Sequence, residues 1–129
     1  MKRFNELTFI TPNKPGKLSQ VLKTIAGKGI NVIALNSSSG YDLNMVRLVV
    51  SNPRQCRAAL EKLGYAVTES VVIGINVTDR PGRLAAVTTA MGKAKVNIDY
   101  IYTTASALVL FHAADVDAAE RALRGIEGA

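Results

Sequence analysis

Apolar positions along the chain follow first the short period of a strand and then the longer period of a helix, and this order occurs twice. The segment Glu6–Thr11 is rich in Phe, Ile and Thr, which favours a strand. An apolar stripe at helical spacing follows, at Leu18, Val21, Leu22 and Ile25, and Gly27 and Gly29 end that helix. The rest of the first copy is predicted as strand Ile30–Asn36, a turn at Ser37–Gly40, strand Met45–Val50, a helix from Pro53 that ends at Gly64, and strand Tyr65–Glu69.

The second copy repeats the same order of elements. They are predicted as strand Val71–Val77, helix Gly82–Ala94, strand Val96–Thr103, strand Leu108–His112 and helix Val116–Arg124. Two βαββαβ patterns predict an α+β protein of two tandem ferredoxin-like units, residues 1–70 and 71–129, each an antiparallel sheet with its helices on one face. The last strand of the second unit is short or absent, reduced to Ile126–Ala129. Either another segment or a second chain then covers that sheet edge, or the edge stays bare.

Aligned residues support a duplication. The segment Asn13–Leu18 matches Asp79–Leu84 at an offset of 66 residues, and Ile30–Val32 falls on Val96–Ile98 at the same offset. Later the offset drops to 63, so three residues are missing from the second copy. The hairpin at Ser38–Leu43 is the expected place, because hairpin loops tolerate deletions.

The loops Thr11–Gly16 and Val77–Gly82 each lead from a strand into a helix and carry the most informative chemistry. Asn13 and Asp79 can cap these helices by accepting from their first free N–H groups. A helix N-terminus attracts a carboxylate or phosphate, whereas a carboxamide or carboxylate beside it suits an ammonium group. Together these features suit a free amino acid, and the alternative is a capped turn with a structural purpose alone.

Composition and charge restrict the class of protein. The chain has 48% hydrophobic and 20% charged residues, which are ordinary globular values. With one cysteine and no apolar run that resembles a signal peptide or a membrane span, we expect a cytoplasmic protein. Ten of the sixteen Lys and Arg residues lie in residues 1–66, beside three Asp and Glu. This basic half either attracts an anion or is a solvated surface.

The sequence contains no convincing catalytic or metal-binding set, so neither an enzyme nor a cofactor is predicted. His112 is either a base or a strand-end histidine without a partner. Cys56 shares a helix face with Leu60 and Leu63, which favours a core residue over a nucleophile. One Cys and one His give no metal-ligand spacing.

The motifs at Asn13–Leu18 and Asp79–Leu84, followed by Gly29–Val32 and Lys95–Ile101, resemble the ACT domain across nearly the whole chain. The resemblance implies ferredoxin-like regulatory modules that bind amino acids at the interface between two units. The residues implied for ligand binding are Asn13, Lys14, Gly16, Lys17, Leu18, Asn31, Val32 and Asn36 in the first copy, and Asp79, Arg80, Gly82, Arg83, Leu84, Asn97, Ile98 and Tyr100 in the second.

The resemblance also implies roles within that set. The main-chain N–H groups of Gly16 and Gly82 would bind the ligand carboxylate, and Asn13 or Asp79 would bind its amine.

Other members of the set have open alternatives. Asn31 and Asn97 either bind ligand or hold the start of a strand. Tyr100 and Tyr102 either line a pocket or pack on the neighbouring unit.

The expected function is therefore a regulatory protein that binds a small molecule, foremost an amino acid, without catalysis and as a homodimer. The partner that it regulates is not identified by the sequence. The alternative is a nucleic-acid-binding module that uses the basic half, although the central strands supply Phe111 as their one aromatic. A small enzyme of the same fold is a third class, disfavoured because no base or nucleophile lies in an evident cleft.

Overall fold

The computed structural model describes residues 1–126 and divides the chain into two compact units. The first unit is Asn5–Ser70, and the second unit combines Met1–Phe4 with the chain from Val71 onward. In chain order the elements are β1 (Lys2–Pro12), α1 (Lys17–Gly27), β2 (Val32–Gly40), β3 (Leu43–Val50), α2 (Pro53–Lys62), β4 (Thr68–Asn76), α3 (Arg83–Lys93), β5 (Tyr100–Thr103), β6 (Leu108–His112) and α4 (Val116–Leu123). Apart from Ile126, the predicted strand Ile126–Ala129 lies outside the described residues.

The first unit has the strand order β2-β3-β1, and β3 is antiparallel to both neighbours. Leu48 of β3 lies opposite Leu7 of β1 and Leu35 of β2, so these side chains share one face of the sheet. That face packs against Ile25 of α1 and Leu60 of α2 in a single core. Both helices therefore cover one face, as the sequence predicts.

The second unit repeats this arrangement with the strand order β4-β6-β5. Phe111 of β6 lies opposite Ile73 of β4 and Ile101 of β5. Ile73 and Phe111 pack with Met91 of α3 and Leu123 of α4 in the second core. The predicted α+β class and the βαββαβ order are thus confirmed.

Residues Met1–Phe4 take the place of a fourth strand in the second unit. Met1 packs against its core, and the Phe4 ring lies against Gly74 of β4. The guanidinium of Arg3 binds Asp117 of α4 at 2.5 Å and also binds Glu120 on the same helix. In a βαββαβ unit the fourth strand lies beside the first, and β4 is the first strand here. Another segment of the chain therefore covers the edge that the sequence leaves incomplete.

Helices α1 and α3 begin at glycines, not at the predicted polar caps. Gly16 and Gly82 have φ angles of 85° and 89°, a left-handed conformation that favours a residue without Cβ. Neither helix has a side-chain cap hydrogen bond. Capping by Asn13 and Asp79 is therefore wrong. Each residue lies three positions before the glycine at which its helix begins.

Two strand predictions also need correction. Residues Ser37–Ser39, predicted as a turn, continue β2 because each lies opposite a residue of β3, and the chain instead reverses at Tyr41 and Asp42. The predicted strands Tyr65–Glu69 and Val71–Val77 are joined in the single strand β4, which begins only at Thr68 and ends at Asn76.

The predicted strand Val96–Thr103 is shortened to β5. Its first residue is held by the preceding helix, since Val96 N donates to Met91 O at 3.0 Å. Pairing with β6 begins only where Asp99 N donates to His112 O at 2.9 Å. Among residues 1–126, no helix has the length and apolar character needed to cross a membrane.

Candidate functional site

The loops β1–α1 and β4–α3 have the same backbone form, as their sequences predict. Lys17 N donates to Lys14 O at 3.2 Å, and the equivalent Arg83 N donates to Arg80 O at 3.4 Å. Each turn then enters its helix through the left-handed glycine, where the first-turn N–H groups lack partners within the helix. Such a turn offers a partial positive charge to an anion in both units.

The first loop is tied to the β2–β3 hairpin of its own unit. The Asn13 amide nitrogen donates to Ser39 Oγ at 3.0 Å and to Tyr41 O at 2.9 Å. Its carbonyl oxygen accepts from Asn44 Nδ2 at 3.3 Å, and its main-chain N–H donates to Asp42 O at 2.7 Å. Asn13 is therefore committed to the hairpin.

The second loop borders a cavity of about 220 Å³ instead. The cavity is lined by Val77, Thr78, Asp79, Arg80, Arg83, Leu84, Thr103, Thr104, Ala105, Ala107 and Val109. Four residues of the predicted set, Asp79, Arg80, Arg83 and Leu84, come together here. Asp79 and Arg80 have exposed side chains, so opposite charges lie at the mouth of one cavity.

Arg83 has an incomplete set of hydrogen bonds. Its Nη2 donates to Ile126 O at 3.1 Å, which ties the end of the described chain to α3. Its Nε is buried and has no hydrogen-bond partner among residues 1–126. A buried donor on a charged group normally has an acceptor, so the Arg83 guanidinium has unused hydrogen-bonding capacity.

The predicted second-strand residues lie elsewhere. Val32 and Ile98 are partly buried and pack against the two cores. Asn31 joins the strand ladder through its main chain, since its N–H donates to Ser51 Oγ at 2.9 Å and its carbonyl accepts from Ser51 N at 2.9 Å. Asn36 lies opposite Arg47 on the sheet face away from the helices.

Asn97 and Tyr100 belong to a separate polar cluster on the second unit. Asn97 Nδ2 donates to Asp99 Oδ1 at 3.2 Å, and Asp99 Oδ2 lies 2.7 Å from His112 Nδ1. The Tyr100 ring stacks on the His112 ring with a centroid distance of 5.3 Å. The alternative in which His112 has no partner is wrong, because Asp99 orients its imidazole.

The two remaining reactive or stacking candidates are core residues. Cys56 is fully buried, and burial raises the pKa of its thiol to about 11. A thiol with that pKa is protonated near neutral pH and is a poor nucleophile. Phe111 is also fully buried, so it offers no ring for stacking a base.

Sequence reasoning missed the threonines of the cavity wall. Thr103 and Thr104 line the cavity, and Thr104 Oγ1 lies 3.1 Å from Ser106 Oγ. They stand at the β5–β6 turn, where the three-residue gap between the copies falls. At the offset of 66 residues they fall on Ser37 and Ser38, which the sequence predicts as a turn, so the repeat alignment did not single them out.

The sequence matches the family model of an ACT domain pair over residues 3–126. Among solved structures, protein BT0572 from Bacteroides thetaiotaomicron is 30% identical with a TM-score of 0.88, covering 94% of this chain and 86% of that one. The regulatory subunit of aspartate kinase from Thermus thermophilus, in its ligand-free form, is 19% identical with a TM-score of 0.73, covering 98% and 97%. The corresponding subunit from Thermus flavus is 19% identical with a TM-score of 0.67, covering 98% and 93%.

A comparison with curated proteins gives no match. The two kinase subunits, at 19% identity, share the fold with this chain. The family model spans both units described above and includes both glycine loops. The chain therefore belongs to the family of ACT domain pairs.

Proposed function

We propose that this protein is a non-catalytic regulatory module that binds a free amino acid where ACT units meet. In chain order the two ACT units would be residues 1–70 and 71–129, with Met1–Phe4 contributing to the second unit. The observation that carries the proposal is the cavity beside the second loop. The acidic residue Asp79 and the basic residues Arg80 and Arg83 line this one cavity. An α-amino acid is a common metabolite that carries one ammonium and one carboxylate group.

Two further observations support a binding role over a catalytic one. Cys56 is buried with a raised pKa, which disfavours nucleophilic chemistry. His112 and Asp99 are oriented toward one another, yet neither lines the cavity beside the second loop. Similar folds form regulatory subunits of aspartate kinase, which supports a regulatory role. A cytoplasmic location is part of the proposal.

A homodimer is part of the proposal. In the first unit, Ile10, Leu43 and Met45 share the sheet face away from the helices, and their exposed fractions are 44%, 53% and 38%. Adjacent exposed apolar side chains favour a protein–protein contact. Sedimentation analysis of the wild type and of Leu43→Lys tests this point, and a monomeric wild type would contradict it.

A thermal-shift screen against the twenty amino acids, ribonucleotides and single-stranded RNA tests the proposed function. An amino acid at about 100 times its Kd stabilises the fold by roughly 2.7 kcal/mol, which is readily measured. Asp79→Asn should reduce the shift to about half or less, whereas Asp42→Asn, at an exposed turn residue of the first unit, should keep it. If RNA alone raises the melting temperature, the amino-acid proposal is wrong and the basic half is the working surface.

A further inference from the structure

The two glycine loops share a backbone form but differ in what their polar side chains contact. Asn13 and Asp79 occupy equivalent positions, as do Lys17 and Arg83. The Asn13 amide uses both of its N–H donors and accepts a third hydrogen bond, all within the first unit. Asp79 makes no hydrogen bond or ion pair within the described part of the chain. A ligand amine would have to displace Asn13 from its partners, whereas Asp79 is available.

Hairpin length explains this difference. The strands β2 and β3 run for nine and eight residues, so their connecting turn reaches Asn13. The strands β5 and β6 run for four and five residues, and their turn at Thr104–Ala107 leaves a cavity beside Asp79. The second copy is three residues shorter at this hairpin. The longer hairpin of the first unit contacts its glycine loop, whereas the shorter hairpin of the second unit leaves a cavity beside Asp79.

We propose that the second unit alone binds the amino acid, so that each chain holds one ligand; this inference rests on the proposed function. Arg83, which lines the cavity, receives the ligand carboxylate. Asp79 receives the ammonium group at the cavity mouth. The Asn13 contacts are a structural latch that closes the equivalent place in the first unit.

The cavity wall also restricts the ligand side chain. Beyond Asp79, Arg80 and Arg83, the lining consists of small apolar residues, one leucine and threonine hydroxyls. Once the charged residues bind the two charged groups common to all amino acids, the remaining wall suits a small uncharged side chain. The cavity volume of about 220 Å³ favours the same class. We expect alanine, serine, threonine or valine to bind more tightly than aspartate or lysine.

Equilibrium dialysis of the full chain tests this, with radiolabelled L-alanine, L-serine, L-threonine and L-valine each used alone, and with L-aspartate and L-lysine as comparison ligands. The expected stoichiometry for the tightest of the four is one per chain. Arg83→Met and Asp79→Asn should each weaken binding at least about tenfold, a factor that corresponds to 1.4 kcal/mol. The Asp79→Asn variant is nearly isosteric and exposed, so it keeps the test valid if Arg83→Met fails to fold.

Two comparison variants separate charge from position. Arg121→Met removes the same charge from an exposed position on α4, outside the cavity, and should leave binding unchanged. Lys17→Met alters the first loop at the place equivalent to Arg83 and should change the Kd less than about twofold.

Two ligands per chain, or a larger loss in Lys17→Met than in Arg83→Met, would overturn this inference while leaving amino-acid binding intact. Tighter binding of L-aspartate or L-lysine would overturn the ligand class. Failure of every amino acid to bind the wild type would overturn the proposed function as well.

Discussion

The substitution Gly74→Ala tests whether residues Met1–Phe4 complete the second unit. An added Cβ would stand 2.5 Å from Cε2 and 3.0 Å from Cδ2 of the Phe4 ring, and 3.2 Å from Cδ1 of Leu108. The ring must then leave its place against β4. Overpacking of this kind costs about 1–3 kcal/mol. A Gly→Ala change in compatible backbone gains about 0.4–1 kcal/mol from the unfolded state, so we expect a net loss near 1–2 kcal/mol.

A double-mutant cycle with Phe4→Ala isolates that contact. Urea unfolding should show the full loss for Gly74→Ala in the wild type and little or none in the Phe4→Ala background. Gly92→Ala is the matched control, because its Cβ would meet nothing within 4 Å in α3 and should stabilise the helix. Equal costs of Gly74→Ala in both backgrounds would refute the contact and the role given to the first residues.

Three other predictions concern protonation, burial and capping. The hydrogen bond from Arg3 lowers the pKa of Glu120, so this carboxylate stabilises the fold above its ordinary pKa of about 4.3, and that stability is lost as pH falls. In Arg3→Met the urea midpoint should therefore fall less steeply below about pH 4.5 than in the wild type. Parallel plots of urea midpoint against pH for the two proteins would contradict this. Because burial raises the pKa of Cys56 to about 11, a disulfide reagent near pH 8 should label it only on unfolding, and rapid labelling of the folded protein would be inconsistent with a core thiol. Asn52 accepts from Gln55 N at 3.1 Å at the start of α2, so Asn52→Ala should lose about 1 kcal/mol in urea unfolding while Asn52→Asp keeps it; equal stabilities of the two variants would argue against the cap.

Local sequence signals predicted helix and strand boundaries correctly where those boundaries depend on neighbouring residues in the chain. Helix α2 begins at Pro53 as predicted, and β6 spans Leu108–His112 as predicted. Ser37–Ser39 were misassigned because serine favours turns, while their place in β2 depends on pairing with β3, a non-local interaction. No local signal could show that Met1–Phe4 fill the edge of the second unit, since their partners are about seventy or more residues away.

In the candidate site, too, local features could be predicted from the sequence and non-local contacts could not. The paired glycine loops and the charged residues Asp79, Arg80 and Arg83 were evident from the repeat. The difference between the loops was not, because it depends on which hairpin reaches its loop and on the hydrogen bonds of Asn13. A repeat alignment compares residue types and carries no information about such contacts.

The central claim is that a small uncharged amino acid binds beside the second loop. The most direct test is a titration of the ¹⁵N-labelled full chain with L-alanine, L-serine, L-threonine and L-valine in turn, followed by amide chemical shifts. The account predicts saturable shifts for Arg80–Leu84 and Thr103–Ala107, with Asn13–Leu18 far less affected. Saturable shifts centred on Asn13–Leu18, or none anywhere with all four amino acids, would contradict it.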